Sequence, residues 1–119
     1  MKTIIAGSRS CLDYSVVKKA VRLSIESGFQ FPTCIVSGGA KGVDTLGEKF
    51  ADEFGISKEI YLAEWDKYGR RAGYIRNEEM AKVSDSLIAI WDGCSRGTKH
   101  MIDLAKKYNL RVYVYKIED

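Results

Sequence analysis

Three short stretches of the chain gather the residue types that hold an anion. They are Gly7-Ser8-Arg9-Ser10, Ser37-Gly38-Gly39-Ala40-Lys41-Gly42-Val43-Asp44 and Asp92-Gly93-Cys94-Ser95-Arg96-Gly97-Thr98. Each combines glycine, a hydroxyl side chain and a basic residue. Glycine lets the backbone approach a phosphate closely. Hydroxyls add donors, and arginine offers paired N–H groups and a positive charge. Where such a stretch leads into a helix, the unpaired first amides and the positive end of the helix dipole complete an anion site. The ligand-binding candidates are therefore Gly7, Ser8 and Arg9 in the first stretch, Ser37, Gly38, Gly39, Ala40, Gly42 and Asp44 in the second, and Gly93, Ser95, Gly97 and Thr98 in the third. Neither GxxxxGKS/T nor GxGxxG occurs, so these loops are not the common nucleotide fingerprints.

Two acids at the same loops, Asp44 and Asp92, are the candidates for chemistry on a ligand. Either can accept a ribose hydroxyl or exchange a proton. Asp44 equally suits a first-turn acid that complements the helix dipole. Glu64 and Glu78 are lesser candidates, and His100, beside Lys99, reads as a surface residue. Ser37 is not flanked as GxSxG, so no nucleophile elbow is present. Cys94 lies in a glycine loop near a helix start, but nothing in the sequence pairs it with a histidine, and it reads as incidental.

Hydrophobic periodicity supplies the elements that must position these loops. Short apolar runs read as strands at Lys2–Ala6, Cys34–Ser37, Glu59–Leu62, Ser86–Trp91 and Arg111–Tyr115. Between them, helical patterns cover Asp13–Ser27, Val43–Phe54, Tyr74–Val83 and Gly97–Tyr108. Asp13 is placed to cap the first helix, and Gly28 and Gly55 to stop the first two. Residues 63–73 show no clear period and read as a loop. Strand and helix alternate strictly, and Leu87-Ile88-Ala89-Ile90-Trp91 is apolar throughout, as in a sheet covered on both faces. The expected fold is α/β: a single Rossmann-like, doubly wound sandwich over residues 1–119, with about five parallel strands alternating with four helices. In such sheets ligands bind beyond the carboxyl ends of the strands, where all three stretches fall.

Bulk properties narrow the function. The formal net charge of +3 is too small to argue nucleic-acid binding by itself. The three cysteines are far apart, and with a single histidine they do not form a zinc motif. No motif requires a metal, although Mg2+ is a natural companion of phosphates. The apolar start, Met1–Ala6, is short for a signal peptide, and no apolar run nears the roughly 20 residues that span a bilayer. The expected partner is a small molecule and not a membrane. The expected location is a cytoplasm, the host's if a virus or mobile element encodes the chain.

The segments GSR (Gly7–Arg9), SGGAKGVD (Ser37–Asp44), AEWDKYGRRAGYIRNEEM (Ala63–Met80) and WDGCSRGTKHMIDLA (Trp91–Ala105) occur in an order that resembles the SLOG superfamily, within it the stand-alone YspA-like type. The resemblance covers nearly the whole chain. It implies a Rossmann-like fold, a nucleotide-like ligand and a homodimer or higher homo-oligomer. It also gives meaning to residues 63–80. Arg76 and Asn77 join the ligand-binding candidates, Arg76 sharing a helical face with Met80 and Asn77 placed in a first turn. Trp65 or Tyr68 is available to stack on a base, and Arg70 and Arg71 read as solvated surface.

One departure matters. The LOG phosphoribohydrolases of that superfamily carry a PGGxGTxxE pattern whose acid supports cleavage of the N-glycosidic bond. The comparable stretch here is Gly97-Thr98-Lys99-His100-Met101, with a thioether in place of the acid. A thioether neither transfers a proton nor stabilises an oxocarbenium ion. The leading expectation is a sensor, carrier or sequestering protein for a nucleotide-derived ligand, with no cofactor required. A small nucleotide hydrolase is the alternative. A DprA-like single-strand nucleic-acid binder is a further one, supported by Arg9, Lys41, Arg70, Arg71, Arg76, Arg96 and Lys99 at the same edge.

Overall fold

The computed structural model describes residues 1–117. Its elements are β1 (Lys2–Gly7), α1 (Tyr14–Glu26), β2 (Cys34–Ser37), α2 (Val43–Phe54), β3 (Ser57–Ile60), α3 (Trp65–Tyr68), a 3-10 turn (Gly69–Arg71), α4 (Ala72–Val83), β4 (Ser86–Trp91), α5 (Arg96–Lys107) and β5 (Arg111–Lys116). The five strands form one sheet in the order β3-β2-β1-β4-β5, and every pairing is parallel. The chain winds outward from β1 to β3, then returns to the other side of β1 for β4 and β5. The reversal lies between β1 and β4, which is where the fold leaves a crevice for a ligand.

Two apolar layers clamp the sheet. On one face Val17, Ala20 and Val21 of α1 and Val43, Phe50 and Ala51 of α2 pack on Ile5, Ile35, Ile88 and Ile90. On the other, Met80 and Ala81 of α4 and Met101, Ile102, Leu104 and Ala105 of α5 pack on Ile4, Ala6, Val36, Leu87 and Ala89. Alternate strand residues serve opposite faces, so the central strands are apolar throughout.

Local signals set the helix ends. Asp13 Oδ1 accepts from the Ser15 amide at 3.0 Å and caps α1. Gly55 closes α2 in the left-handed region. Gly7 is the closest approach in the sheet: a Cβ there would lie 2.1 Å from the Ile90 carbonyl oxygen. Only glycine lets β1 run this tightly beside β4 into its loop.

Two expectations shift. The third strand is Ser57–Ile60 and not Glu59–Leu62. Its register pairs Ser37 with Ile60, and β2 ends at Ser37, so the later residues have no strand to join after the Tyr61 amide meets the Ser37 carbonyl at 2.8 Å. Residues 63–73 are not a plain loop either. They hold one turn of α-helix and a 3-10 turn that runs into α4, which therefore begins at Ala72 and not Tyr74. Both pieces are too short to show a period in sequence.

Candidate nucleotide-binding site

A cleft of about 400 Å³ opens at the carboxyl end of β1. Its walls come from the β1 loop, the start of α2, the middle of α4 and the start of α5. The β1 loop is held from below. Ser8 donates its amide to the Ile90 carbonyl at 3.1 Å, and its buried hydroxyl meets Ser10 Oγ at 2.8 Å. Arg9 follows with its side chain exposed.

The loop after β2 packs directly on the first. At Gly42 (φ +79°) a Cβ would lie 2.5 Å from the Ser8 carbonyl oxygen and 2.6 Å from Arg9 Cα. The Val43 amide donates to the Ser8 carbonyl at 3.2 Å. Gly42 offers no side chain to cap α2, so this end of the helix relies on backbone alone. Ser37 shapes the loop from inside: its fully buried Oγ accepts from the Gly39 amide at 3.1 Å and lies 2.8 Å from Glu48 Oε2.

The loop after β4 is organised by Asp92. Its carboxylate accepts the amides of Cys94 and Ser95, each at 2.8 Å, which holds its pKa below the ordinary range. Ser95 then caps α5 by accepting from the Thr98 amide at 3.4 Å. The amides of Arg96 and Gly97 stand in the first turn, where no intrahelical acceptor exists.

α4 ties these loops together. Arg76 Nη1 donates to the Gly38 carbonyl at 2.6 Å, and its Nε donates to Asn77 Oδ1 at 2.9 Å. Asn77 Nδ2 reaches the Gly97 carbonyl at 3.4 Å and His100 Nδ1 at 3.2 Å. One continuous chain thus runs from the second glycine loop to the third. The His100 ring is fixed on its other side by Tyr74, edge to face at 4.4 Å.

The electrostatics are mixed by design of the fold. Asp44 is only 7% exposed and lines the cleft. Burial pushes its carboxyl up to about 6, against the Ala40 amide at 3.3 Å and the positive charge of Arg76. Arg76, itself half buried, is drawn below its ordinary value by burial, a shift opposed by Asp44; a guanidinium nevertheless stays charged in a protein. The floor is apolar: Ala6, Met80 and Met101.

Two lobes extend the cleft, and both share Arg9 and Arg76 with it. One, of about 470 Å³, is bounded by Gly38, Gly39, Lys41, Leu62 and Trp65. The other, of about 180 Å³, is bounded by Trp65, Arg70, Gly73 and Tyr74.

The predicted residues fall into three groups. Gly7, Ser8, Arg9, Ala40, Asp44, Arg76, Asn77, Ser95, Gly97 and Thr98 line the central cleft. Gly38, Gly39 and Trp65 border the lobes, as do Lys41 and Arg70. Ser37, Gly42, Asp92 and Gly93 border none of these spaces among the described residues. Asn77 is in the second turn of α4, not the first, because the helix starts two residues early. Tyr74 and Leu62 border the lobes without having been expected there, and His100 joins the site only through its hydrogen bond with Asn77. His100 lies three positions after Gly97, one helical turn further along the same face, a spacing that signals proximity. No cluster of three or more His, Cys, Asp or Glu side chains able to hold a metal occurs among the described residues.

The YspA, cpYpsA-related SLOG family (YAcAr) matches residues 1–68, from β1 through α3, which takes in the first two glycine loops. The chain belongs to this SLOG family. It is also similar to the Gene 61 protein of Mycobacterium phage D29, at 30% identity over 117 residues and 93% of each chain. No solved structure matches it. The five-stranded parallel sheet is the Rossmann-like arrangement of a SLOG domain, and membership suggests a nucleotide-related ligand. No helix among the described residues is long and apolar enough to cross a membrane.

Proposed function

We propose that this SLOG chain binds a nucleotide-derived phosphate ligand in the central cleft and serves as a sensor, carrier or sequestering protein. The observation that carries the reading is the convergence of Arg9, Arg76 and the first turn of α5 on one cleft with a buried carboxylate, Asp44. A phosphate meets two guanidinium groups and the free amides of Arg96 and Gly97. Asp44 accepts a hydroxyl of the attached sugar, and the apolar floor takes a flat face of sugar or base. Mg2+ enters only as a companion of the phosphates.

A hydrolase acting on the same ligand is the second reading, and Asp44 favours it. A carboxyl poised near 6 exchanges protons close to neutral pH. Met101 at the cleft floor opposes it, since it stands where an acid would be needed. Asp92 is committed to two backbone amides and contributes to the loop alone. Single-strand nucleic-acid binding is the third reading; it predicts a steep loss of affinity with salt. By family resemblance the chain also self-associates as a homodimer or higher homo-oligomer, which light scattering on a sizing column reads directly.

Native mass spectrometry after incubation with mono- and dinucleotides tests the reading. A retained, unaltered ligand supports a binding protein. Release of base and ribose phosphate supports the hydrolase. No retention of any nucleotide sinks both.

A further inference from the structure

We propose that the ligand is two-ended: a pyrophosphate flanked by a ring system on each side, the dinucleotide class, and not a mononucleotide. This rests on the nucleotide reading above. Two guanidinium groups are common to neighbouring spaces, and each space has its own apolar side chains; Lys41 and Arg70 add positive charge to the lobes. Arg9 and Arg76 border both the central cleft and the lobe beside it. The central cleft has Ala6, Met80 and Met101 as its apolar floor. The neighbouring lobe ends on Trp65 and Leu62. At about 400 and 470 Å³, each is by itself the size of a small-molecule site.

The Trp65 wall lies outside both apolar core clusters among the described residues. The side chain is 52% exposed, and Leu62 is 70% exposed. The tip of the Trp65 ring rests over Gly73, 3.4 Å from where a Cβ would be, and the Arg76 guanidinium lies 4.0 Å from the same point. Ring and guanidinium thus both lie beside Gly73, at ordinary contact distance from that point. An exposed indole beside a charged fork is a stacking platform for a base whose phosphate the fork holds. A ligand with one ring fills one end and leaves the other wet. A ligand with two rings joined through phosphates covers both walls and places its negative charge between the arginines.

The test is isothermal titration of the full chain with AMP, ADP, NAD+ and diadenosine diphosphate. The last two are expected to bind at least tenfold tighter than AMP or ADP. Trp65→Ala is expected to cost NAD+ and diadenosine diphosphate at least tenfold in affinity, more than it costs AMP or ADP, so that the gap closes, and Leu62→Ser to narrow it. Trp65 joins neither apolar core cluster among the described residues, so the variant keeps the fold, which circular dichroism checks. Equal affinities for one-ended and two-ended ligands, or a gap that Trp65→Ala leaves intact, overturn the inference and leave the nucleotide reading standing. Failure of all four to bind overturns both.

Discussion

Arg76 Nη1 donates to the Gly38 carbonyl at 2.6 Å, so a side chain in the middle of α4 holds the backbone of the glycine loop after β2. The same guanidinium borders every part of the site. Arg76 is therefore the clamp that sets the loop, and in the proposed function it is a ligand contact as well.

Arg76→Ala is expected to weaken ligand binding by about 1.5–3 kcal/mol, the range for a charge-assisted bond. It also leaves the Gly38 carbonyl and Asn77 Oδ1 without their donor, at about 1–2 kcal/mol of stability. Arg76→Lys is not expected to restore either, because an ammonium cannot span Gly38 and Asn77 as the planar fork does. Calorimetric titration and urea denaturation read the two effects separately.

Gly97 separates binding from folding. A Cβ there meets nothing within 4 Å, and the residue lines the cleft in the first turn of α5. Gly97→Ala is expected to stabilise the chain by about 0.5–1 kcal/mol. Gly97→Asp is expected to fold at least as well as the native chain, because a carboxylate suits a helix N-terminus. It is also expected to lose at least tenfold in affinity by filling the anion's place with negative charge. Thermal melts paired with titration check both.

Asp44 sets a pH dependence with a definite sign. Its carboxyl is pushed from 3.8 to about 6 in the folded chain. Below pH 4 both folded and unfolded states hold the proton. Between 4 and 6 the unfolded state releases it first, so stability is lost as pH rises through about 6. Asp44→Asn removes this loss and is expected to gain about 1–3 kcal/mol over the native chain at pH 7.5. The gain should vanish near pH 4. Urea midpoints across that range decide it.

His100 works in the opposite direction. Burial lowers its pKa, and its Nδ1 accepts from Asn77 only when unprotonated. Its contribution is present above the ordinary histidine value and is lost as pH falls through the lowered one. His100→Gln keeps an acceptor without the titration. It is expected to flatten the acid side of the stability curve, read by the same urea midpoints.

The sheet and its loops were legible because their signals are local. Apolar runs, Asp13 before α1 and Gly55 after α2 each act within a few residues. The meeting of the three glycine loops at one sheet edge was legible from composition together with the alternation of strand and helix. What escaped depends on tertiary placement. Ser37 carries the right chemistry but is turned inward to Gly39 and Glu48. Asp92 carries a free carboxylate in sequence and spends it on two amides in the fold. Asn77 and His100 meet because α4 and α5 pack side by side, which no period in either helix announces. The end of β3 was misjudged because Tyr61 and Leu62 are β-like residues whose partner strand has already turned away at Ser37.

The central claim is that a nucleotide-derived phosphate sits between Arg76 and the first turn of α5. Side-by-side titration of the native chain and Gly97→Asp with ADP and NAD+ tests it most directly. The account predicts saturable binding to the native chain and at least a tenfold loss in a variant whose melting temperature is not lowered. Equal affinity in the two proteins, or no binding by the native chain, would contradict it.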